Sequence, residues 1–366
     1  MHVLITNHEL QSRGGTSLYT YELALFLRKF NIEVSVYSPI IGPLAKELSK
    51  SGISIYDDLA DMDGVPDIIH GHHHIQTVQA ILRFPETRAI FVCHGVVPWQ
   101  EMPPLHPNIV QYYAVSNMTS HRVWSHTQKI GKHVKLIQNW VDTERFRPKP
   151  LINKIPKSAL IVTNYNYDTT QIEKACLQQK ISVKKFGYGF GNISDRLEAE
   201  FMKADLVFGL GRTAIEAMAA GCAVILSSAD GVAGLVTKGN FSAYRDSNFA
   251  LEFLRHENMT EKYIIDQIKN IDPDVVSEIR TLVRDSQSLE LSGKNWIAQY
   301  QYHLSTDFSP SADQAFISKY ISQLESILKE QEINLSKIED LNRLEFKELA
   351  RLVFSKIWKL FSLRAG

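Results

Sequence analysis

The sequence predicts an α/β protein of two doubly wound domains facing across a cleft, followed by a helical extension. Three observations predict it. Short apolar runs alternate with amphipathic stretches along both halves, the pattern of parallel strands buried on both faces and joined by helices. A hinge segment, 134–148, and the proline-rich stretch 149–157 after it separate the halves. The chain has 366 residues, 44% of them hydrophobic, which is enough for two cores and too long for one.

In the first half, strands are expected at 2–6, 33–37, 67–70, 89–93 and 111–115, with helices at 16–29 and 42–51. In the second half, strands are expected at 158–163, 181–186, 206–208 and 223–226. Helices follow at 250–255, 259–269 and 274–285, and the region 274–304 completes or bridges the domains. The stretch 237–249, rich in Asn and Arg, reads as a loop. This gives a first Rossmann-like domain over 1–148, a second over 149–304, and an extension over 305–366. After a polar break at 305–313, the extension holds helices at 314–331 and 345–363. The latter sets Phe354, Ile357, Trp358 and Phe361 in one stripe among Lys356, Lys359 and Arg364. That stripe suits either docking on a domain or partner protein, or peripheral binding to an anionic membrane.

Composition narrows the class. Lys+Arg and Asp+Glu each number 40, so no broad attraction to nucleic acid follows, and no nucleic-acid partner is expected. Cys93, Cys176 and Cys222 lie in apolar contexts without paired spacing, which suggests reduced thiols in a cytoplasmic protein. No run approaches the ~18 apolar residues of a spanning helix, and the N-terminus reads as a strand.

The stretch from Ala204 to Leu226, ADLVFGLGRTAIEAMAAGCAVIL, carries the most chemistry. It reads as buried strand, glycine turn, helix, glycine stop and second buried strand, one βαβ unit. Gly209 and Gly211 let backbone N–H groups converge, Thr213 can cap the helix, and Arg212 adds a cation beside the positive helix end. A phosphate fits there. Glu216, one turn in, is placed to hold a sugar hydroxyl. A βαβ turn with no ligand is the plain alternative.

This stretch resembles the signature of the retaining GT-B glycosyltransferases of the family 4 type. Their helix carries two glutamates separated by seven residues and ends in a pattern like E-A-M-A-x-G-x-P-V-I. Residues 216–225 match the pattern from the second glutamate to its end, with Ala223 in place of proline; the place of the first glutamate falls on Phe208. The hinge is similar to I-x-N-G-V-D-x-x-x-F-x-P through Ile137, Asn139, Val141, Asp142, Phe146 and Pro148, with Trp140 replacing the glycine. Arg13-Gly14-Gly15-Thr16-Ser17, the run from Pro66 to His72, Cys93-His94-Gly95 and Ala114-Val115-Ser116 extend the similarity over roughly the first 300 residues.

The resemblance implies a GT-B fold and roles for residues in both halves. Gly14 and Gly15 would touch donor phosphate and acceptor beside Arg13, or simply make a tight turn with Arg13 solvated. His94 matches a cleft histidine near the transferred sugar, or is a strand-end histidine bonded to backbone. His70, His72, His73 and His74 follow a strand end toward the cleft, where one would contact substrate while the others cap or pack. A metal site is disfavoured, because no Asp or Glu lies close in sequence. Ser116 would sit near acceptor or phosphate, or cap a helix. Gly231, in the run Asp230 to Gly234, resembles a glycine loop near the donor phosphates.

The cationic clamp that such enzymes carry after the first strand of the second domain is missing from residues 159–167. Arg212 is expected to take its place, with Lys238 or Arg245. The expected activity is transfer of a sugar, with retention, from a phosphate-activated donor to a glycan or lipid-linked saccharide in cell-surface polysaccharide synthesis. No cofactor or metal is needed, and the location is cytoplasmic or peripheral at the inner membrane face. A nucleotide sugar is the leading donor and phosphoribosyl diphosphate the other. A non-catalytic GT-B binding subunit and a sugar-nucleotide epimerase are the rival classes.

Overall fold

The computed structural model describes residues 1–311 apart from Leu151 and Asp195, together with residues 316–318, 320–322, 324–326, 329 and 333. Met1–Ser311 form one compact unit. The described positions between 316 and 333 are helical, and the expected helix at 345–363 lies outside the described residues.

The first half runs β1 (His2–Thr6), α1 (Gly15–Lys29), β2 (Glu33–Tyr37), α2 (Pro43–Lys50), β3 (Ser54–Tyr56), β4 (Ile68–Gly71), α3 (His74–Arg83), β5 (Arg88–Cys93), β6 (Ile109–Ala114), α4 (Asn117–Thr127) and β7 (Val134–Leu136). These strands form a seven-stranded sheet in the order β3-β2-β1-β4-β5-β6-β7, parallel at every pairing. The chain builds outward from β1 on one side, then restarts with β4 on the other. That reversal opens a crevice beyond the carboxyl ends of β1 and β4.

The second half runs β8 (Ser158–Val162), α5 (Thr170–Gln178), β9 (Ser182–Phe186), α6 (Leu197–Phe201), β10 (Leu206–Gly209), α7 (Gly211–Ala220), β11 (Ala223–Ser228), β12 (Gly231–Leu235), α8 (Lys238–Asp246), α9 (Glu261–Lys269), α10 (Pro273–Ser286) and α11 (Leu289–Ser305). Its five-stranded sheet has the order β12-β11-β10-β8-β9. The corresponding reversal lies between β8 and β10.

The two halves and their strands match the expectation, with four differences. Residues 231–235 form an edge strand antiparallel to β11 rather than a free glycine loop. The region 237–249 contains α8, whose start is fixed by Asn240 Oδ1 accepting from the Thr237 N–H at 2.8 Å. Residues 250–255 hold only a short 3-10 turn over Leu251–Phe253. The short edge strands β3 and β7 also lie outside the expected set.

The closing helices divide between the halves. α10 packs on α7, whereas α11 packs back on α1, where Trp296 and Tyr300 are buried in the core of the first half. Trp296 Nε1 donates to the Tyr19 hydroxyl at 2.8 Å, and the missing side chain at Gly293 admits the Phe26 ring, which a Cβ there would meet at 2.3 Å. The two segments that pass between halves run side by side: Val141 N donates to Gln287 O at 2.8 Å and Leu289 N to Val141 O at 2.9 Å. The polar break stays with the first half as far as Ser311, whose N–H donates to Asn108 Oδ1 at 2.8 Å.

Candidate functional site

The loop after β1 and the reversal between β8 and β10 border one cavity of about 190 Å³. From the first half come Arg13, Gly15 and Leu18, at and after the loop that follows β1. The hinge supplies Arg145 and Phe146, and the second half supplies Asn164, Gly187, Tyr188, Ser194, Arg212, Thr213 and Glu216. Local sequence explains the close approach. Gly187 has φ of +120°, and a Cβ there would stand 1.8 Å from the Thr163 carbonyl oxygen, so only glycine lets the loop after β9 fold over the end of β8. At Gly15 the reverse holds: nothing stands within 4 Å of where a Cβ would be. Its missing side chain leaves open space at the cavity wall.

α7 begins at Gly211, so its first-turn N–H groups and positive end lie at this wall. The helix is not capped by Thr213. Leu210 occupies the N-cap with no side-chain hydrogen bond, and Thr213 Cγ2 would lie 2.9 Å from a Cβ at Gly209. Gly209 thus serves packing within the turn.

Arg212 is not a free cation. Its Nε donates to Glu216 Oε1 at 2.7 Å, one turn along α7, and its Nη2 donates to Glu22 Oε1 on α1 of the first half. Glu22 is held from behind, its Oε2 accepting from Trp140 Nε1 at 2.8 Å. Exposure of the side chains is 13% for Arg212, 7% for Glu216 and 5% for Glu22. Burial works against the Arg212 charge, but the two carboxylates outweigh it and strengthen the guanidinium's hold on its proton. Burial pushes the Glu216 carboxyl above the usual range; Arg212 draws it back down and Glu22 adds to the rise. Trp140, which replaces the glycine of the resembled hinge pattern, packs tilted against Tyr19 with ring centroids 3.9 Å apart. From that position its indole N–H fixes Glu22.

Phe208 is fully buried in a core cluster with Leu206, Ile161 and Ile225 and does not line the cavity. Here the position of the missing glutamate belongs to the core. The two other candidates for the clamp also lie off the cavity. Lys238 pairs with Glu278 at 3.0 Å, and Arg245 sits on α8 beside Asp246. Gly231 lies at the β11–β12 turn with φ of +125°, and a Cβ there would strike the Arg255 carbonyl oxygen at 2.1 Å. It serves packing against Arg255 and is not among the residues that line the cavity.

The histidines gather in a separate buried cluster beyond β4 and β5. His94 Nε2 and His72 Nδ1 are 2.9 Å apart, His70 Nδ1 is 2.5 Å from the Tyr300 hydroxyl, and Tyr19 lies edge-on to His94 at 4.6 Å between centroids. His73 adopts φ of +65° just before α3, with Nδ1 accepting from the His8 N–H at 3.0 Å. Burial lowers the whole group, His70 and His73 to about 3. None of them lines the cavity, and among the described residues no group of three or more His, Cys, Asp or Glu side chains could hold a metal ion.

Ser116 caps α4: its hydroxyl accepts from the Thr119 N–H at 3.2 Å. Gly14 is the N-cap of α1. Of the sequence candidates, the cavity thus brings together Arg13, Gly15, Arg212, Thr213 and Glu216. Sequence reading missed Glu22, Arg145 and Asn164. Arg145 sits inside the hinge motif, three residues after Asp142, and now pairs with Glu198 at 2.8 Å; Asn164 lies in the cation-free run after β8.

No protein-family profile and no curated protein matches this sequence. Solved structures do match in three dimensions. HepE from Anabaena, solved with UDP and glucose, is 13% identical with a TM-score of 0.53 over 82% of this chain and 100% of its own. An α-glucosyltransferase solved with UDP and a 13-mer DNA is 11% identical, with a TM-score of 0.55 over 82% of this chain and 99% of its own. A UDP-N-acetylglucosamine 2-epimerase is 10% identical, with a TM-score of 0.50 over 86% and 99%. The chain has the GT-B fold. Because transferases and an epimerase share it, the choice of chemistry rests on the site.

Proposed function

We propose that this protein is a glycosyltransferase that takes a sugar from a phosphate-activated donor, a nucleotide sugar, to a glycan or lipid-linked saccharide acceptor, with retention, in cell-surface polysaccharide synthesis. One observation carries the reading: the loop after β1 meets the crevice of the second sheet at a cavity that joins the N-terminus of α7 to Arg13, Arg145 and Arg212. A helix N-terminus with adjacent guanidinium groups suits a diphosphate, and the same groups would stabilise charge on the departing phosphate. Glu216 lines the cavity one turn along α7, where it would hold a ribose hydroxyl. Retention follows from the family resemblance, in which the leaving phosphate takes the acceptor proton. The acceptor would approach from the Arg13 side, and the enzyme would work in the cytoplasm or at the inner membrane face without a metal.

A second reading, a non-catalytic GT-B subunit, is favoured by the engagement of Arg212 with both Glu22 and Glu216 and by Phe208 in the place of a glutamate. Phosphoribosyl diphosphate stays open as the donor, since a helix end and a guanidinium do not select a nucleobase. The deciding experiment incubates the purified protein with a donor panel and a saccharide acceptor. Consumption of a nucleotide sugar with a retained anomeric configuration supports the first reading; binding of a donor that is never consumed overturns it in favour of the second.

A further inference from the structure

Glu22 lies behind the cavity, bonded to Arg212 and Trp140. We propose that its carboxylate is a built-in stand-in for the donor diphosphate: in the free protein it occupies the guanidinium edge of Arg212 that phosphate takes when donor binds, and so clasps the two halves together. This inference rests on the reading of the cavity as a phosphate site.

Three observations support the exchange. First, Arg212 and Glu216 share α7, whereas Glu22 belongs to α1 on the other half. When the halves part, Glu22 leaves and the Arg212–Glu216 pair stays on α7, with one guanidinium edge open beside the helix N-terminus. Second, the cavity of about 190 Å³ is below the ~300–1,000 Å³ of a typical ligand site, so a sugar diphosphate enters only if the halves open. Third, the cluster holds one guanidinium between two buried carboxylates. An incoming diphosphate adds negative charge to a place already rich in it, and like charges at close range in a sheltered site repel strongly. Departure of Glu22 removes that conflict. Trp140 keeps Glu22 aimed at Arg212 through its Nε1 bond, so the clasp re-forms when the ligand goes.

The test uses Glu22→Gln in the full chain, which keeps the side chain's length and an oxygen for Trp140 while removing its charge. Inorganic pyrophosphate is the probe, measured by calorimetry, and spin labels on the two halves report their separation. The clasp predicts a wider label separation in unliganded Glu22→Gln than in the wild type, and pyrophosphate binding about tenfold tighter. Unchanged separation in the folded variant, or pyrophosphate binding that is equal or weaker, overturns the proposal, because a Glu22 that only orients Arg212 would give that result. The underlying reading fails differently: if the labels separate in Glu22→Gln but neither protein binds pyrophosphate, the clasp holds and the cavity is not a phosphate site.

Discussion

Glu216 and Gly15 separate ligand chemistry from fold stability. A Glu216→Gln side chain keeps an oxygen for Arg212 Nε but loses the charge that, in the proposed function, holds a ribose hydroxyl. A charge-assisted hydrogen bond in a sheltered site is worth ~1.5–3 kcal/mol, so nucleoside diphosphate binding should weaken roughly ten- to a hundredfold. Pyrophosphate, which has no ribose, should not weaken; a parallel loss for both ligands would remove Glu216 from the ribose. At Gly15 the open space beside the backbone means that Gly15→Leu should leave the melting temperature nearly unchanged while obstructing the cavity and lowering donor affinity. Phe208→Ala is the opposite control, expected to cost ~3–5 kcal/mol of stability through an apolar cavity in the core, with donor affinity intact in the folded fraction. Glu101 offers a pH test. Burial pushes its carboxyl up to about 7, against the pull of the His94 N–H and Arg122. The native state then keeps a proton that the unfolded chain gives up near its ordinary value, so stability falls as pH climbs toward and through about 7, by about 3 kcal/mol in all. The buried neutral histidines act the other way: the unfolded chain takes up protons below about 6.5 that His70 and His73 refuse down to about 3, so stability falls on acidification through that range. Denaturant titrations from pH 5 to 8 should show Glu101→Gln gaining on the wild type steadily as pH rises, while both lose stability at the acid end.

At the scale of elements, α11 ties the end of the compact unit to its beginning. Ala in place of Gly293 improves intrinsic helix propensity by about 1 kcal/mol, yet its Cβ would meet the Phe26 ring at 2.3 Å. Phe26 is itself buried, and overpacking of this kind costs about 1–3 kcal/mol. Gly293→Ala should therefore lower the melting temperature despite the better helix former, and a rise would mean that Phe26 is free to move. The same scale shows what could be read from the chain. β1, β2, β5, β8 and β11 were legible because a buried parallel strand must be apolar on both faces, as HVLIT and SALIV are. α8 was not, because Lys238 to Asp246, KGNFSAYRD, buries only Phe241 and Tyr244 and its sequence has the composition of a surface loop. β12 was hidden by its glycines, Gly231 at the close approach to Arg255 and Gly234 beside Gln267. For the site, the glycine turn and the helix of residues 209–216 were visible because their spacing is local. The Glu22–Arg212 contact joins residues 190 apart, and no local pattern records which carboxylate a guanidinium will find; the role of Trp140 became visible only with it.

For the whole molecule, stability provides the measurement that identifies the donor of the proposed activity. Any ligand that binds only the folded chain at ~100-fold above its dissociation constant adds about 2.7 kcal/mol. In a unit of this size that raises the melting temperature by about 3–6 °C. A panel of nucleoside diphosphates, phosphoribosyl diphosphate and pyrophosphate should therefore rank candidates without knowledge of the acceptor. The proposed activity predicts that one nucleoside diphosphate gives a larger shift than pyrophosphate, because the base and ribose add contacts beyond the phosphate. The shift should disappear in Arg212→Ala. That variant also strands Glu22 and Glu216 without their cation, a change worth about 3–5 kcal/mol when one partner of a buried pair is lost, so its baseline melting temperature should fall and only the ligand-induced increment is compared. A shift with phosphoribosyl diphosphate and none with any nucleoside diphosphate would move the donor to an activated pentose. No shift with any of them, at concentrations reaching the millimolar range, would remove the cavity between the two sheets from donor binding altogether.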